Sequence, residues 1–371
     1  MGEYIMIKKF EVYNFKGFKN NFIFDFSKTR DYCFNTNLIK NKIVNKAIIY
    51  GKNGSGKSNL GLALYDLTIH LTDKQRIRNY KNNYRNLDNK ENYATFIYTF
   101  QFEDDEITYS YHKNDSENLS YENLKLNGDV LLEYDYINKT YKNDIEGLNN
   151  LNIDLPDNKL SILKYIYKNT PTDESSPINK VVRFAEGMLW FRCLIEGNDY
   201  IGLNPSFDDL NDSIIKNDKL KDFELFLNKN GLKYNLFKKE VNGNNYIYVK
   251  YKNGEASLSS IISSGTKALW LYYGWSLFFD RISFLYLDEF DAYYHYETAE
   301  VILKLLSSNH DFQTVVTSHN TYLMQNNLTR PDCCFIVYEN EYIKPLSDCT
   351  EKEIREAHNL EKMYRNGAFI D

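Results

Sequence analysis

The sequence is poor in the residues that break or staple a chain. Six prolines and 17 glycines in 371 residues exclude a collagen-like, linker-like or low-complexity polymer. The five cysteines (Cys33, Cys193, Cys333, Cys334, Cys349) are odd in number and form no CxxC pair. Neither a disulfide framework nor a zinc site is indicated, and a reducing interior is the simplest home. Long apolar runs are missing too: the longest, 268–279, is interrupted by Gly274 and Ser276 and is too short for a bilayer. The opening MGEYIM lacks the basic-then-apolar plan of a signal peptide, and Met6 stands where a myristoylation motif needs Ser or Thr. A cytoplasmic protein is expected. The net charge of −6, from 45 basic and 51 acidic side chains, excludes a purely electrostatic nucleic-acid binder while leaving room for a local basic surface. What is abundant is core material: 43% hydrophobic residues, with 32 Tyr and 23 Phe, enough for one large domain or two lobes.

Residues 5–13 and 20–26 alternate apolar and polar side chains, the period of a strand with one buried face. The run 47–50 ends at Gly51 and is followed by leucines at helical spacing over 59–71, a strand, glycine loop and helix. Residues 94–112 read as a hairpin turning at Glu103-Asp104-Asp105. From 113 to about 245 the composition shifts to Asn, Lys and Asp, with Pro156, Pro171, Pro177 and Pro205, and helices are predicted near 158–168, 178–196 and 207–228. This stretch reads as a largely helical lobe inserted into a domain made of 1–112 and 246–371. After a strand at 246–251, a second series follows: helix 265–279, strand 283–288, helix 296–307, strand 312–317, helix 320–326, strand 333–338 and a closing helix over 351–365. Alternating strands and helices imply a parallel sheet covered on both faces. No fixed-period repeat is present.

The segment Gly51-Lys52-Asn53-Gly54-Ser55-Gly56-Lys57-Ser58 fits G-x-x-x-x-G-K-[ST] completely. Its glycines permit a curl that turns several N–H groups, together with the helix N-terminus, toward one phosphate. Lys57 can reach β and γ phosphates, and Ser58 can ligate Mg²⁺. By composition alone such a match arises in on the order of one in a hundred chains, before a flanking strand and helix are required. A nucleoside triphosphatase also needs carboxylates at the end of a nearby strand. The run 284–287 is apolar and ends in Asp288-Glu289. There Asp288 would hold Mg²⁺, and Glu289 would orient or deprotonate the attacking water. The strand ending at Thr317 leads into Ser318-His319-Asn320, where an imidazole can sense a γ phosphate at the crevice of an α/β sheet. Residues 258–267 open an apolar helix with hydroxyls and a glycine, a reading equally open to an anion-receiving helix tip and to an ordinary serine cap.

The order GKNGSGKS, SSGTK, FLYLDEFD and TSHN, with an insertion after the first, resembles the ATP-binding-cassette-type ATPases of the SMC, RecF and OLD superfamily. EVYNFKGFKN looks like that group's opening strand, and DEFDAYYH like its Walker B and D-loop. The tail EKEIREAHNLEKMYRNGAF is similar to the AAA15/AAA21 class of defence-associated ATPases, such as the RloA, abortive-infection and PARIS-type proteins. The resemblance covers 1–112 and 246–371. It implies an α/β fold of ABC type, with a mixed sheet flanked by helices, plus the helical insertion lobe. It implies ATP and Mg²⁺ as ligands, held by Gly51 to Asn59, with Lys57, Glu289 and His319 as catalytic residues and Ser58 and Asp288 on the metal. Ser263, Ser264 and Gly265 would form the signature motif that meets the nucleotide of a second subunit, so a homodimer or higher homo-oligomer is implied. Asp291 would lie at the dimer seam. The motif reads Ser-Ser-Gly-Thr rather than Ser-Gly-Gly-Gln, and Tyr296 stands where a Pro is frequent. Gln101 is a weak candidate for a Q-loop glutamine.

Three functions compete: a dimeric ATPase switching an effector in anti-phage defence, a DNA-repair or chromosome-associated ATPase, and a transporter's nucleotide-binding subunit. The first leads. Only 52 residues follow His319, too few for the Toprim nuclease of OLD proteins, so a separate effector chain is expected. The insertion is too short and Pro-interrupted for SMC arms, because these need sustained heptads. The basic stretch Lys74 to Lys90, with Tyr80 and Tyr84 interleaved, reads as a solvated face or as a contact to nucleic-acid phosphates. The aromatic-rich 188–203 reads as core or as an assembly surface.

Overall fold

The alternation at the N-terminus becomes strand β1 (Ile5–Tyr13), antiparallel to β2 (Phe22–Asp25). The computed structural model describes residues 5–72, 74, 80–145, 148, 155, 157–192, 199–202, 210–293, 295–308 and 311–369. A short ribbon, β3 (Ile39–Lys40) and β4 (Ile43–Val44), leads into β5 (Lys46–Tyr50) and α1 (Lys57–Leu71). The predicted hairpin is β6 (Ala94–Phe102) and β7 (Asp105–Lys113), with Glu103 at φ 48° in its turn. The chain continues through β8 (Leu119–Leu126), β9 (Asp129–Asp135), β10 (Thr140–Asn143), α2 (Ile162–Asn169), α3 (Pro177–Glu186), β11 (Met188–Arg192) and β12 (Asp199–Gly202). Next come α4 (Leu210–Lys216), α5 (Leu220–Lys229), β13 (Leu236–Val241), β14 (Asn244–Tyr251), β15 (Gly254–Ser257), α6 (Leu258–Ile261) and α7 (Ser264–Ser276). The last elements are β16 (Phe284–Asp288), α8 (Tyr296–Ser307), β17 (Gln313–Thr317), β18 (Cys334–Tyr338), β19 (Tyr342–Pro345) and α9 (Leu360–Arg365).

Two compact units divide the chain: residues 1–203, 282–290 and 311–371 form the first, and 204–281 with 291–310 the second. The first unit holds two seven-stranded sheets. One is antiparallel, in the order β10-β9-β8-β7-β6-β1-β2. The other, in the order β12-β11-β16-β17-β5-β18-β19, is mixed: the five inner strands run parallel, while β12 and β19 close its edges antiparallel. Both β5 and β17 are buried along their whole length, as a parallel sheet covered on both faces demands.

Helix α1 lies between the sheets and is buried on nearly every side, which explains why its apolar residues are not confined to one stripe. From the antiparallel sheet, the Tyr98 hydroxyl reaches the Ala63 and Leu64 carbonyls. From the mixed sheet, the Tyr286 hydroxyl donates to the Lys57 carbonyl at 2.6 Å. Buried Gln313 joins the sheets directly, donating to the Ile7 and Val44 carbonyls and accepting from the Ile7 N–H, beside a bulge in β1. The second unit is built on an antiparallel sheet β13-β14-β15, with α5 stacking aromatic residues such as Phe223 on Tyr273 of α7.

The stretch 113–245 departs from the expected helical lobe. Strands β8 to β10 extend the antiparallel sheet, and β11 joins the mixed sheet beside β16. The helix foreseen over 178–196 stops at Gly187, and the β-prone residues Met188 to Phe191 pair as a strand instead. Residues 193–196 of that expectation lie outside the described ones. The expected helix 207–228 is broken at Asn217-Asp218, where Asp218 takes φ 55°, and its first three residues are also outside the described ones. The strand at 246–251 is β14, a member of a separate antiparallel sheet rather than of the parallel series. Of the helix expected over 320–326 there is a 3-10 turn at Thr321–Leu323. The closing helix is only Leu360–Arg365, started by Asn359, whose side chain accepts from the Lys362 N–H; the mostly polar 351–359 offers no apolar face to hold a longer one. Among the described residues no helix is long and apolar enough to cross a membrane.

Candidate functional site

Three adjacent parallel strands, β16, β17 and β5, end on the same side of the mixed sheet. Each carries part of the predicted site past its C-terminal end: Glu289 after β16, Ser318-His319 after β17 and the phosphate loop after β5. The resulting cleft, of roughly 440 Å³, is lined by Asn53 to Asn59, Glu289 and His319. Gly51 and Lys52 form the loop's entry from β5.

The loop's curl follows from its glycines. Gly54 and Gly56 take φ 77° and 108°, which side chains other than glycine adopt only with strain. A Cβ on Gly56 would also stand 2.4 Å from the Asn340 amide oxygen. Asn340, in the turn between β18 and β19, donates its N–H to the Ser55 carbonyl at 2.9 Å and braces the loop from outside. Among the described residues no side chain caps the N-terminus of α1.

The Lys57 ammonium is folded back on its own loop, donating to the Gly51 and Lys52 carbonyls at 2.9 and 3.1 Å. Burial pulls its pKa below the ordinary lysine value, with Glu289 and then Asp288 opposing that effect. Asp288 is buried and accepts from the Thr317 hydroxyl at 2.8 Å, and the same hydroxyl accepts from the Glu289 N–H at 2.7 Å. Thr317 thus fixes both members of the carboxylate pair. Glu289 takes φ 47°, a left-handed conformation that turns its side chain at the strand end, and its carboxylate lies 3.5 Å from His319 Nε2. Such strain in a non-glycine residue is tolerated where the surroundings over-determine it.

A triphosphate with a divalent cation fits these groups. Among the described residues the buried Ser55 hydroxyl has no hydrogen-bond partner and the first turn of α1 is uncapped, and an ammonium, a hydroxyl (Ser58) and two carboxylates face or flank one cleft. The predicted residues of the loop, Asp288, Glu289 and His319 are therefore brought together in the first unit. Ser263, Ser264 and Gly265 belong to the second, where Ser263 caps α7 by accepting from the Thr266 N–H and both serines are exposed. Gln101 lies in β6 and donates to the carbonyls of Glu103 and Asp105, serving the hairpin turn and not the cleft. Tyr286, Thr317 and Asn340 are site-supporting residues that sequence reasoning missed. A tyrosine inside an apolar strand and a threonine just before Ser-His-Asn were the available signals for the first two; Asn340 had none.

Residues 46–325 match the family described as "AAA domain, putative AbiEii toxin, Type IV TA system". No curated protein matches the chain. Among solved structures, it is similar to the SMC head domain from Thermotoga maritima, at 17% identity and a TM-score of 0.44 over 91% of this chain and 98% of that one. An SmcHead bound to the C-winged helix domain of ScpA gives 17% identity and 0.47 over 92% and 99%. An Smc head domain with an extended coiled coil, bound to the C-terminal domain of ScpA derived from Pyrococcus furiosus, gives 14% and 0.45 over 93% and 97%.

Proposed function

The chain belongs to this AAA-domain family and has the fold of an ABC-type P-loop ATPase, and from that premise we propose that it binds ATP with Mg²⁺ and hydrolyses it to ADP and phosphate. One observation carries the reading: the phosphate loop, Glu289 and His319 face a single cleft. The loop amides and the open end of α1 receive the β and γ phosphates, and Lys57 exchanges the carbonyls of Gly51 and Lys52 for their oxygens. Glu289 accepts a proton from the water that attacks the γ phosphorus as the bond to the ADP oxygen breaks. Ser58 and Asp288 would hold the magnesium ion, whose charge neutralises the phosphate oxygens. His319, beside Glu289, contacts the γ phosphate and reports its presence.

The exposed Ser263 and Ser264, with Gly265, at the tip of the 13-residue α7 support an active form of two chains, each offering this motif to the nucleotide held by the other. Asp291 then lies at the seam. The family's description names a toxin of a type IV toxin–antitoxin system, which supports reading the chain as an ATP-driven switch in prokaryotic anti-phage defence. Its output would be a separate effector chain such as a Toprim nuclease.

The test is a set of variants in a phosphate-release assay with parallel nucleotide titration. Lys57→Ala should lose ATP binding. Glu289→Gln should keep it, accumulate the ATP-bound dimer and turn over at least about 100-fold more slowly. Ser263→Arg should bind ATP as a monomer without turnover. Normal turnover in the Glu289 variant refutes its role as base, and normal turnover in the Ser263 variant refutes the two-chain site. For the defence reading, cells carrying the locus should lose protection against phage on Lys57→Ala; equal plaque counts with and without the native gene would overturn it.

A further inference from the structure

The end of α1 opposite the phosphate loop opens on a second polar cavity, of roughly 310 Å³. Over the helix's 15 residues this is about 22 Å from the loop. Its wall carries Lys74, Lys113, Lys159, Lys164, Thr72 and Ser116. The four lysines come from four places: the segment after α1, the end of β7, the approach to α2, and α2 itself. The fold has therefore gathered like charges that local sequence does not bring together, and it has done so with two of them, Lys113 and Lys164, buried.

Among the described residues the wall holds a single carboxylate, Glu117. It is shared by Lys159 at 3.3 Å and Lys81 at 2.5 Å. Lys113 is held by buried Asp66 at 2.7 Å, and Lys74 by the Glu186 carbonyl at 2.6 Å. His70, also in the wall, is kept below its ordinary pKa by burial and adds no full charge near neutrality. Lysine side chains lining one polar hollow repel one another, and a multiply charged anion offsets that repulsion.

We propose that this lysine-lined cavity is a second phosphate site, separate from the nucleotide cleft, and that its occupant is a small phosphate-bearing molecule no larger than a mononucleotide. Size and shape select that class. The volume is at the lower end of small-ligand pockets, and the cavity is concave and strongly polar, unlike an open groove that tracks a polynucleotide. Of the basic stretch 74–90, Lys74 is the residue among the described ones that lines this cavity. The stretch's interleaved Tyr80 and Tyr84 point inward, both donating to Asp66, and so offer no stacking platform.

The experiment is calorimetric titration of inorganic pyrophosphate into the full-length Lys57→Ala chain, in which the first site is disabled. One equivalent should bind with a Kd below about 1 mM. Adding Lys159→Glu should weaken it at least about tenfold; this side chain is 57% exposed, so folding is spared. Lys74→Ala is the second variant, and matching thermal melts report its integrity. AMP should bind and adenosine should not. Binding only above about 10 mM, or affinity unchanged in both lysine variants, overturns the site. A single-stranded oligonucleotide lacking a terminal phosphate that binds more tightly than AMP, and competes with pyrophosphate, overturns the small-molecule assignment in favour of a nucleic-acid backbone. Because every arm is read without ATP hydrolysis, its failure is distinct from failure of the ATPase reading.

Discussion

Asp66 sits in the middle of α1, fully buried, with four donors on its two oxygens: the hydroxyls of Tyr80, Tyr84 and Tyr111, and the Lys113 ammonium. A buried carboxylate is tolerable only when so satisfied. Removing it strands a buried ammonium, so Asp66→Ala should lower unfolding stability by about 3–5 kcal/mol, read from urea midpoints. Lys46 is the opposite case. Burial pushes its ammonium down from 10.5 to about 7, Asp311 opposing and Lys40 assisting, although Nζ donates to the Phe312 carbonyl and the Thr314 hydroxyl. Between pH 7 and 10.5 the unfolded chain holds a proton that the folded chain has released, so stability rises with pH across that window and is insensitive to Lys46 below it. The difference in stability between the native chain and Lys46→Met should therefore be flat below about pH 7 and shift in favour of the native chain above it. A flat difference up to pH 10 would show that Lys46 keeps its proton.

At the scale of elements, α1 is positioned by a tyrosine and a missing side chain. The Tyr286 ring lies where a Cβ on Gly61 would stand 2.9 Å from it, so the glycine lets α1 approach β16 closely enough for the hydroxyl to reach the Lys57 carbonyl. Gly61→Val should cost about 1–3 kcal/mol by overpacking and weaken ATP binding as well, because the displaced residue carries the phosphate-binding lysine. Tyr286→Phe should cost about 0.5–1.5 kcal/mol with a smaller loss of affinity. A Gly61→Val chain with native ATP affinity would sink this coupling. The strands β5, β16, β17 and β18 were legible because each is an apolar run closed by a glycine or polar group, and the loop, Asp288, Glu289 and His319 follow directly from their ends. β8 to β10 were not, because Asn, Lys and Asp outnumber the buried Leu119, Leu124, Leu132 and Tyr134 that mark their inner face. Tyr286 acts on Lys57, 229 residues away, and the Asn340 amide on Gly54, 286 residues away, a relation that only the folded topology creates.

For the whole molecule, acid sensitivity is built in around a second buried network. Burial lowers the His70 imidazole below 6.5, against the pull of Glu122. Burial would raise Glu122, but donors led by His70 and Tyr109 hold it below 4.5. In both cases the unfolded chain binds the proton first. Stability should decline as pH falls below about 6.5 through His70, with half-buried His112 contributing, and again below about 4.5 through Glu122. His70→Gln should flatten part of the first decline and leave the second; an unchanged profile would refute the assignment.

The mixed sheet has a further consequence for biosynthesis. Both hydrogen-bonded neighbours of β5 come from the last third of the chain, whereas β1, β2 and β6 to β10 can pair among themselves much earlier. At about 5–20 residues per second, the ribosome leaves that strand with two bare edges for on the order of tens of seconds. Nascent chains arrested before residue 313 should be cleaved readily around 46–50 and retained by chaperones, and release should come only once 313–338 has cleared the exit tunnel.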